Sequence, residues 1–408
     1  MKINKFFFAI LILLFCTCLF AAPPGIPFEI LSNGSGARIF SMGGAGSANT
    51  DDASLILWNP AYLDSITKNE IFLSFEPLFG SATYNFISYV NPAGKIGGFG
   101  IALAYAGYGK YEIMDKEGNS GGEASVSDLL FALAYGKNLF AGIQAGLNIK
   151  IGIKSFGSET FTGYNADIGF FRSFEFIDAG IVFKDVLPLK VKFSYEEESF
   201  TPGLKFGLCL KLIDEQFKIT GDVEKYFNNT QPEIFVGLEY NLFKILYLRA
   251  GINSEAILSA GAGINYENFV FDYAILNNEV TLLHKFSLHY KFGGYEVGLK
   301  AEPEIFSPLS GNKKTYIRII AKTKYDIYKW RVELKNAKGE IVKTWEGAGQ
   351  PFETVIWDGL KPDGLPFSEG DYKARLILTD ENDTVIKSEE INIKLSSAEK
   401  FFMPLMGE

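Results

Sequence analysis

The sequence predicts an all-β protein: an antiparallel transmembrane β-barrel of about fourteen strands, preceded by a plug and followed by a small β-sandwich. Three observations predict this. The chain opens like an exported protein. Strict period-two alternation over membrane-spanning lengths recurs between residues 70 and 292. The composition, with 42 Gly, 37 Phe and 20 Tyr in 408 residues, is that of small residues alternating with aromatics rather than of a soluble enzyme core.

Export is read from Lys2 and Lys5, the apolar run Phe6 to Phe20 and then Ala21-Ala22-Pro23-Pro24, the order of a secretion signal cleaved near Ala21 or Ala22. The run is shorter than the roughly 20 residues a helix needs to span a bilayer. Cys16 and Cys18 follow Phe15 and Thr17, where a lipid-modified cysteine follows a small residue, so a lipoprotein is not indicated. Both leave with the signal, and Cys209 alone cannot form an internal disulfide. A formal net charge of −9, more negative once Lys2 and Lys5 are removed, argues against nucleic acid as a partner.

No later stretch has 18 consecutive apolar residues, so a membrane-spanning part has to be a closed barrel, in which every backbone group finds a partner. The clearest strand is Ala141 to Lys154, where Ile143, Ala145, Leu147, Ile149, Ile151 and Ile153 alternate with polar or glycine positions. The pattern returns at Leu204–Leu210, Ile234–Tyr240 and Phe286–Phe292. Strands are expected near 70–76, 81–90, 96–107, 127–137, 140–155, 162–173, 176–185, 202–213, 216–227, 231–241, 245–253, 257–266, 268–277 and 282–292. Connections after even-numbered strands are tight, as at Asp214-Glu215 and Glu267, while the long ones, 108–126 and 186–201, follow odd-numbered strands. Short periplasmic turns and long outer loops would put both ends of the barrel in the periplasm of an outer-membrane protein.

Before the first strand, Gly36-Ala37-Arg38-Ile39-Phe40-Ser41-Met42-Gly43-Gly44-Ala45-Gly46 leads to Thr50-Asp51-Asp52-Ala53-Ser54 and then Trp58-Asn59-Pro60-Ala61. Asp51 or Asp52 can cap a short helix through Leu57, and Asn59-Pro60 ends it because the residue before proline is driven out of the helical region. An element this small must lie against something larger. Gly44-Ala45-Gly46 does not make a phosphate loop, since Asn49 stands at the third small position and no strand precedes it. The Gly-rich run, the DDAS segment and the N-P-A tripeptide together resemble the N-terminal signature of the PorV/PorQ family, related to the FadL long-chain fatty-acid channels. The resemblance implies that Asp51, Asp52, Ser54, Asn59 and Pro60 belong to a hatch in the barrel lumen, sealing it or gating a ligand path.

After Phe292 glycine thins and Lys, Glu and Asp rise. Pro303 and Pro308 mark a connector, and short strands with turns at Asn336-Ala337-Lys338-Gly339 and Lys361-Pro362-Asp363-Gly364 argue for a β-sandwich. Trp357-Asp358-Gly359, Gly364 and Gly370-Asp371-Tyr372 resemble the immunoglobulin-like module of the flagellar hook-cap protein FlgD, with Trp357 and Tyr372 as core or corner residues. The expected organisation is a signal peptide at 1–22, a plug at 23–69, a barrel at 70–292, a linker at 293–312, a periplasmic sandwich at 313–397 and a tail at 398–408.

Enzyme chemistry is not expected. The two histidines, His284 and His289, fall on opposite faces of one strand, which is wrong for a metal pair, and no Ser/His signature accompanies them. No cofactor or metal is called for. Asn148, Lys150, Asp167, Asp222, Glu233, Glu239 and Lys285 fall on the lumen phase with both signs mixed, which reads as a cross-braced interior rather than an ion-selective pore. Two functions lead. One is a partner barrel in type IX protein secretion, implied by PorV and placed first, with secretion-machinery or exported proteins as partners. The other is passive transport of hydrophobic small molecules, implied by FadL. A third is a scaffold working through the sandwich. Outer-membrane lipid is a partner in each.

Overall fold

The computed structural model describes residues 34–49, 52–78, 80–114, 120–187, 190–192, 197–199, 201–213, 215–227, 231–277, 282–309 and 313–396. The expected signal at 1–22, Asp51 and the tail at 398–408 lie outside them. The chain divides into two compact units, Met1–Phe292 and Gly293–Glu408.

The first unit is a closed antiparallel barrel of fourteen strands: β1 (Asn69–Pro77), β2 (Thr83–Pro92), β3 (Gly98–Met114), β4 (Ser120–Phe140), β5 (Ile143–Phe156), β6 (Glu159–Ser173), β7 (Ile177–Lys184), β8 (Gly203–Leu212), β9 (Phe217–Tyr226), β10 (Glu233–Leu242), β11 (Leu246–Asn253), β12 (Leu258–Tyr266), β13 (Phe269–Asn277) and β14 (Leu282–Phe292). Each strand pairs with its sequence neighbours, and β1 closes on β14 from Asn69↔Phe292 to Phe75↔Phe286. Closure removes the free edges that an open sheet would present.

Alternation sets which side is which. In β8, Lys205, Gly207, Cys209 and Lys211 are buried inward while Phe206, Leu208, Leu210 and Leu212 stand exposed outside. This is the reverse of a soluble sheet, and it suits a wall that meets hydrocarbon. The short turns work through residues at positive φ, as at Ala141 (49°) and Gly142 (76°), the mirror-image turn whose twist matches a tight hairpin. No helix among the described residues is long and apolar enough to cross a membrane.

One expected long loop is different. Most of 108–126 is strand: β3 and β4 run on as a ribbon paired at Lys110↔Ser125, Tyr111↔Ala124 and Glu112↔Glu123, past a register shift between Gly107 and Lys110. Its glycines and charges carry no buried face, so the period-two signal is missing although the backbone ladder continues. The other long connection, 186–201, holds a two-stranded ladder of Lys190–Lys192 with Glu197–Ser199.

The second unit holds β15 (Glu296–Glu302), β16 (Ile305–Phe306), β17 (Thr315–Lys322), β18 (Ile327–Lys335), β19 (Ile341–Ala348), β20 (Thr354–Trp357), β21 (Gly370–Asp380), β22 (Val385–Lys387) and β23 (Ile391–Leu395). One small sheet has the order β15-β17-β20. The other runs β16-β23-β21-β18-β19, with β22 beside β21. Leu299, Ile317, Val355 and Trp357 from the first sheet share a core with Trp330, Val332, Leu376 and Ile393 from the second. The stretch 293–312, expected as a linker, instead supplies β15. Val297, Leu299 and Ala301 face that core, and β15 pairs with β17 from Glu296↔Lys322 to Glu302↔Tyr316. Pro303 and Pro308 follow the strand and do not interrupt it.

Candidate functional site: the hatch in the barrel lumen

Residues 34–49 and 52–66 occupy the lumen as a compact hatch of α1 (Ala37–Phe40), α2 (Leu55–Trp58) and a 3-10 turn (Pro60–Ser65). Helices of one turn are unstable alone. Here burial and side-chain bonds hold them. Asp52 accepts from the Ser54 amide at 2.9 Å and also from the Ser54 hydroxyl, fixing the turn into α2. Trp58 donates its indole N–H to the Ser35 carbonyl at 2.8 Å, tying the two arms of the hatch together. Asn59 is extended and caps the 3-10 turn by accepting from Ala61 N at 3.1 Å. Its amide nitrogen donates to Ser47 O at 2.8 Å and to the wall at Phe170 O at 3.2 Å. Pro60 opens that turn, where its missing N–H costs nothing.

The wall is shaped to receive this backbone. Gly98, Gly136, Gly146 and Gly169 stand in direct register across β3 to β6. A Cβ at any of them would run into Leu63, Pro60, Ala61 or Asn59 of the hatch. Opposite, Gly237 pairs with Gly251, and both lie against Met42, with Gly43 also on Gly251. Sequence reading assigned the glycines to alternation with aromatics on the lipid side. Their role facing inward was legible only as one glycine per strand at matching register, a signal that needs the strand pairing first.

Charges complete the attachment. Arg38 of α1 forms a two-point pair with Glu239 (Nε–Oε2 2.9 Å, Nη2–Oε1 3.1 Å) and lies 3.9 Å from Asp52. Glu239 also receives Arg249 at 2.7 Å, Arg249 reaches Asp272 at 2.6 Å, and Asp272 lies 2.8 Å from His289 Nε2. His289 Nδ1 is 2.9 Å from Glu70, whose carboxylate accepts the hatch amide of Ala53 at 3.0 Å. The chain of buried charges thus leaves the hatch at Arg38 and returns to it at Ala53. Elsewhere Asn148 donates to Ile56 O at 2.8 Å, Asp222 accepts from Ser47 N at 2.9 Å, and Lys285 pairs with Glu76 with its Nζ 3.8 Å from the centre of the Phe40 ring. Lys150 bridges Asp167 at 2.9 Å and Asp185 at 3.2 Å within the wall.

Asn148, Lys150, Asp167, Asp222, Glu239 and Lys285 are all buried inward; Glu233 is half-buried at the start of β10. Sequence reading did not single out Arg38, Glu70, Asp185 or His289 for this role. A lone arginine in a Gly-rich run was the one usable sign. The two histidines do part company: His289 is inside, and His284 bonds the Tyr273 hydroxyl at 2.8 Å on the outer side.

At the end of the barrel away from the short turns, hatch and wall line an open cavity of about 370 Å3. Phe40, Gly44 and Trp58 belong to its hatch side, Phe235, Ile257, Leu276 and Leu283 to its apolar wall. Lys184, Lys205, Lys285, Glu224, Glu233 and Glu255 supply the charges. A larger apolar depression, about 790 Å3, lies on the outside over Leu73, Phe75, Phe271, Phe286 and Leu288. Apolar side chains dominate its lining, which suits lipid tails.

In the second unit Trp357 is fully buried and packs against Phe306 (5.1 Å between ring centres) and Tyr372 (4.9 Å). Tyr372 donates its hydroxyl to Ser368 O at 2.7 Å. Asp358 is exposed and accepts from Leu360 N at 3.2 Å. Gly359 has φ +70° beside Leu395 and Phe306, and Gly364 (+82°) and Gly370 (+149°) also take conformations that favour glycine. These residues are brought together as structure, apart from the lumen cluster.

Comparison with family models matches residues 24–255 to UPF0164, an uncharacterised protein family, a stretch that takes in the hatch and eleven of the barrel strands. The chain belongs to UPF0164. No curated protein matches this UPF0164 chain. Among solved structures it is similar to the Pseudomonas putida toluene transporter TodX, with a TM-score of 0.50 at 13% identity, covering 63% of this chain and 98% of that one. A deltaS2 mutant of the TodX monoaromatic hydrocarbon channel gives 0.51 at 12%, covering 65% and 100%. A Pseudomonas aeruginosa FadL homologue aligns at 0.46 and 10%, covering 64% and 99%, too loosely to argue from. At these identities the likeness is one of fold alone.

Proposed function

We propose that this UPF0164 protein is a bacterial outer-membrane channel that lets hydrophobic or amphipathic small molecules pass down their gradient, without catalysis. The observation that carries the reading is the cavity of about 370 Å3 that ends on the hatch. It combines an apolar lining with a few convergent polar groups, the usual make-up of a small-molecule site. The barrel likeness to TodX, a toluene transporter, supports the same reading. Asp52, Ser54, Asn59 and Pro60 then hold the floor of the path, Asp51 belongs to the same segment, and the inward charges brace it. The PorV-like role in secretion, placed first on the sequence motif, gains no support from this geometry, and the transport reading replaces it as the preferred one.

The chain leaves β14 at Phe292, on the rim of short turns. On that basis the second unit is assigned to the periplasm. Its shared two-sheet core and the Trp357, Gly359 and Tyr372 arrangement support an immunoglobulin-like, FlgD-like sandwich serving as a docking or spacing module.

The test is uptake of labelled toluene by cells with an intact lipopolysaccharide leaflet, with and without the protein. The protein should raise the initial rate, and Ile257→Trp with Leu283→Trp, which fill the cavity, should remove the gain. Equal rates with and without the protein would refute the channel.

A further inference from the structure

Among the described residues the cavity's charges are not balanced, and the imbalance selects a ligand. The three lysines that reach it are already held by carboxylates. Lys184 bonds Glu224 at 2.7 Å and the Tyr226 hydroxyl at 3.0 Å. Lys205 lies 3.2 Å from Glu224 and 3.7 Å from Asp222, and donates to Gly44 O at 3.1 Å. Lys285 pairs with Glu76. Three ammonium groups therefore face three carboxylates before Glu233 and Glu255 are considered. Those two also line the cavity and are half-buried; Lys205 and Lys184 attract Glu233 from a distance but are themselves bonded to Glu224, and no ion pair to Glu233 or Glu255 is seen among the described residues.

Backbone geometry sets them side by side. Ser254, in the turn between β11 and β12, donates its amide to Ile234 O at 2.8 Å, and its hydroxyl accepts from Ile234 N at 3.1 Å. This locks the residue before Glu255 to the residue after Glu233. Two negative charges are thus held on one wall of a cavity whose other lining includes Phe40, Trp58, Phe235 and Ile257.

We propose that this cavity is a binding site for an organic cation with an apolar body, an amphipathic amine or ammonium ion, whose charge pairs with Glu233 and Glu255 while its body lies on the aromatic and aliphatic lining. The inference rests on the channel reading and narrows it. Carboxylate solutes are disfavoured, because no lysine of the cavity is free to receive one.

The test is calorimetric titration of the full mature chain, in non-ionic detergent, with three solutes sharing one body: 2-phenylethylammonium, 2-phenylethanol and phenylacetate. The ammonium ion should bind roughly ten-fold tighter than the alcohol, the size of effect expected from close carboxylates in a half-buried site. Phenylacetate should bind weakest. The double variant Glu233→Gln, Glu255→Gln should lose the preference while keeping the heat-modifiable gel mobility of a folded barrel. Phenylacetate binding as tightly as the amine, a preference that survives the double variant, or no binding of the amine would overturn the proposal. Uptake separates the two readings. If toluene enters but the amine shows no preference, this inference alone falls; if the amine binds through the glutamates and nothing enters, the channel falls and the site stands.

Discussion

Arg38 of the hatch and Glu239 of β10 meet in a buried two-point ion pair, with Nε 2.9 Å from Oε2 and Nη2 3.1 Å from Oε1. Glu239 is shared with Arg249, so the hatch is fastened to a run of charges that continues to Asp272 and His289. Such a pair adds little net stability by forming, because both ions lose water, but breaking it strands a buried charge. Arg38→Gln is therefore expected to cost about 3–5 kcal/mol of hatch attachment. Limited proteolysis should then cut within 34–66 while the barrel keeps its gel mobility, and an unchanged cleavage pattern would count against the latch.

Glycine in the wall makes an equally specific prediction. The Cβ of any larger residue at Gly146 would collide with Pro60 and Ala61, backbone atoms that cannot swing aside. Gly146→Val should destabilise the seated hatch by about 1–3 kcal/mol, the range for overpacking. Gly298→Val in β15, where nothing lies within 4 Å of the added carbon, should be near neutral in its own unit. Urea melts followed by hatch proteolysis would distinguish them, and equal effects would refute the close fit.

Much of the barrel could be read from the chain because its signal is local: Leu147, Ile149 and Ile151 alternate with Asn148, Lys150 and Gly152 whatever lies across the lumen. Asn59-Pro60 marked where the short helix before the first strand ends, and α2 does end at Trp58 with Asn59 extended. What could not be read depends on register. Gly136 beside Gly146, or Arg249 beside Glu239, acquires meaning only when two strands are slid into their true pairing, and one residue of slip turns every side chain to the other face. The β3–β4 ribbon was hidden for the opposite reason, since its ladder is satisfied by backbone alone. Of the pair Glu233 and Glu255, which lie in different hairpins, the period-two phase marked Glu233 as lumen-facing, while Glu255 sits in a turn and carried no such sign.

The second unit has its own core, so damage there should stay there. Trp357 is fully buried between the two sheets and touches Phe306, Phe367 and Tyr372. Trp357→Ala should cost about 3–5 kcal/mol, the range for deleting a large buried aromatic. Scanning calorimetry should show the transition of this unit lowered or lost, with the barrel transition in place. Loss of both together would show that the units do not unfold independently.

Tyr372 gives the unit a pH dependence whose sign is fixed by its surroundings. Burial raises its phenol above the ordinary value of 10.0, because the charged phenolate is poorly solvated there. The folded state therefore holds the proton more tightly than the unfolded chain. Its contribution is whole below the unfolded value and is lost as pH rises from there through the folded one. Melting midpoints of the unit should accordingly fall as pH climbs past about 10, and Tyr372→Phe should flatten that fall. The variant also removes the hydroxyl bond to Ser368 O, at 2.7 Å, which should lower stability at neutral pH by about 0.5–1.5 kcal/mol. Parallel curves for the two proteins between pH 8 and 11 would mean that some other group titrates.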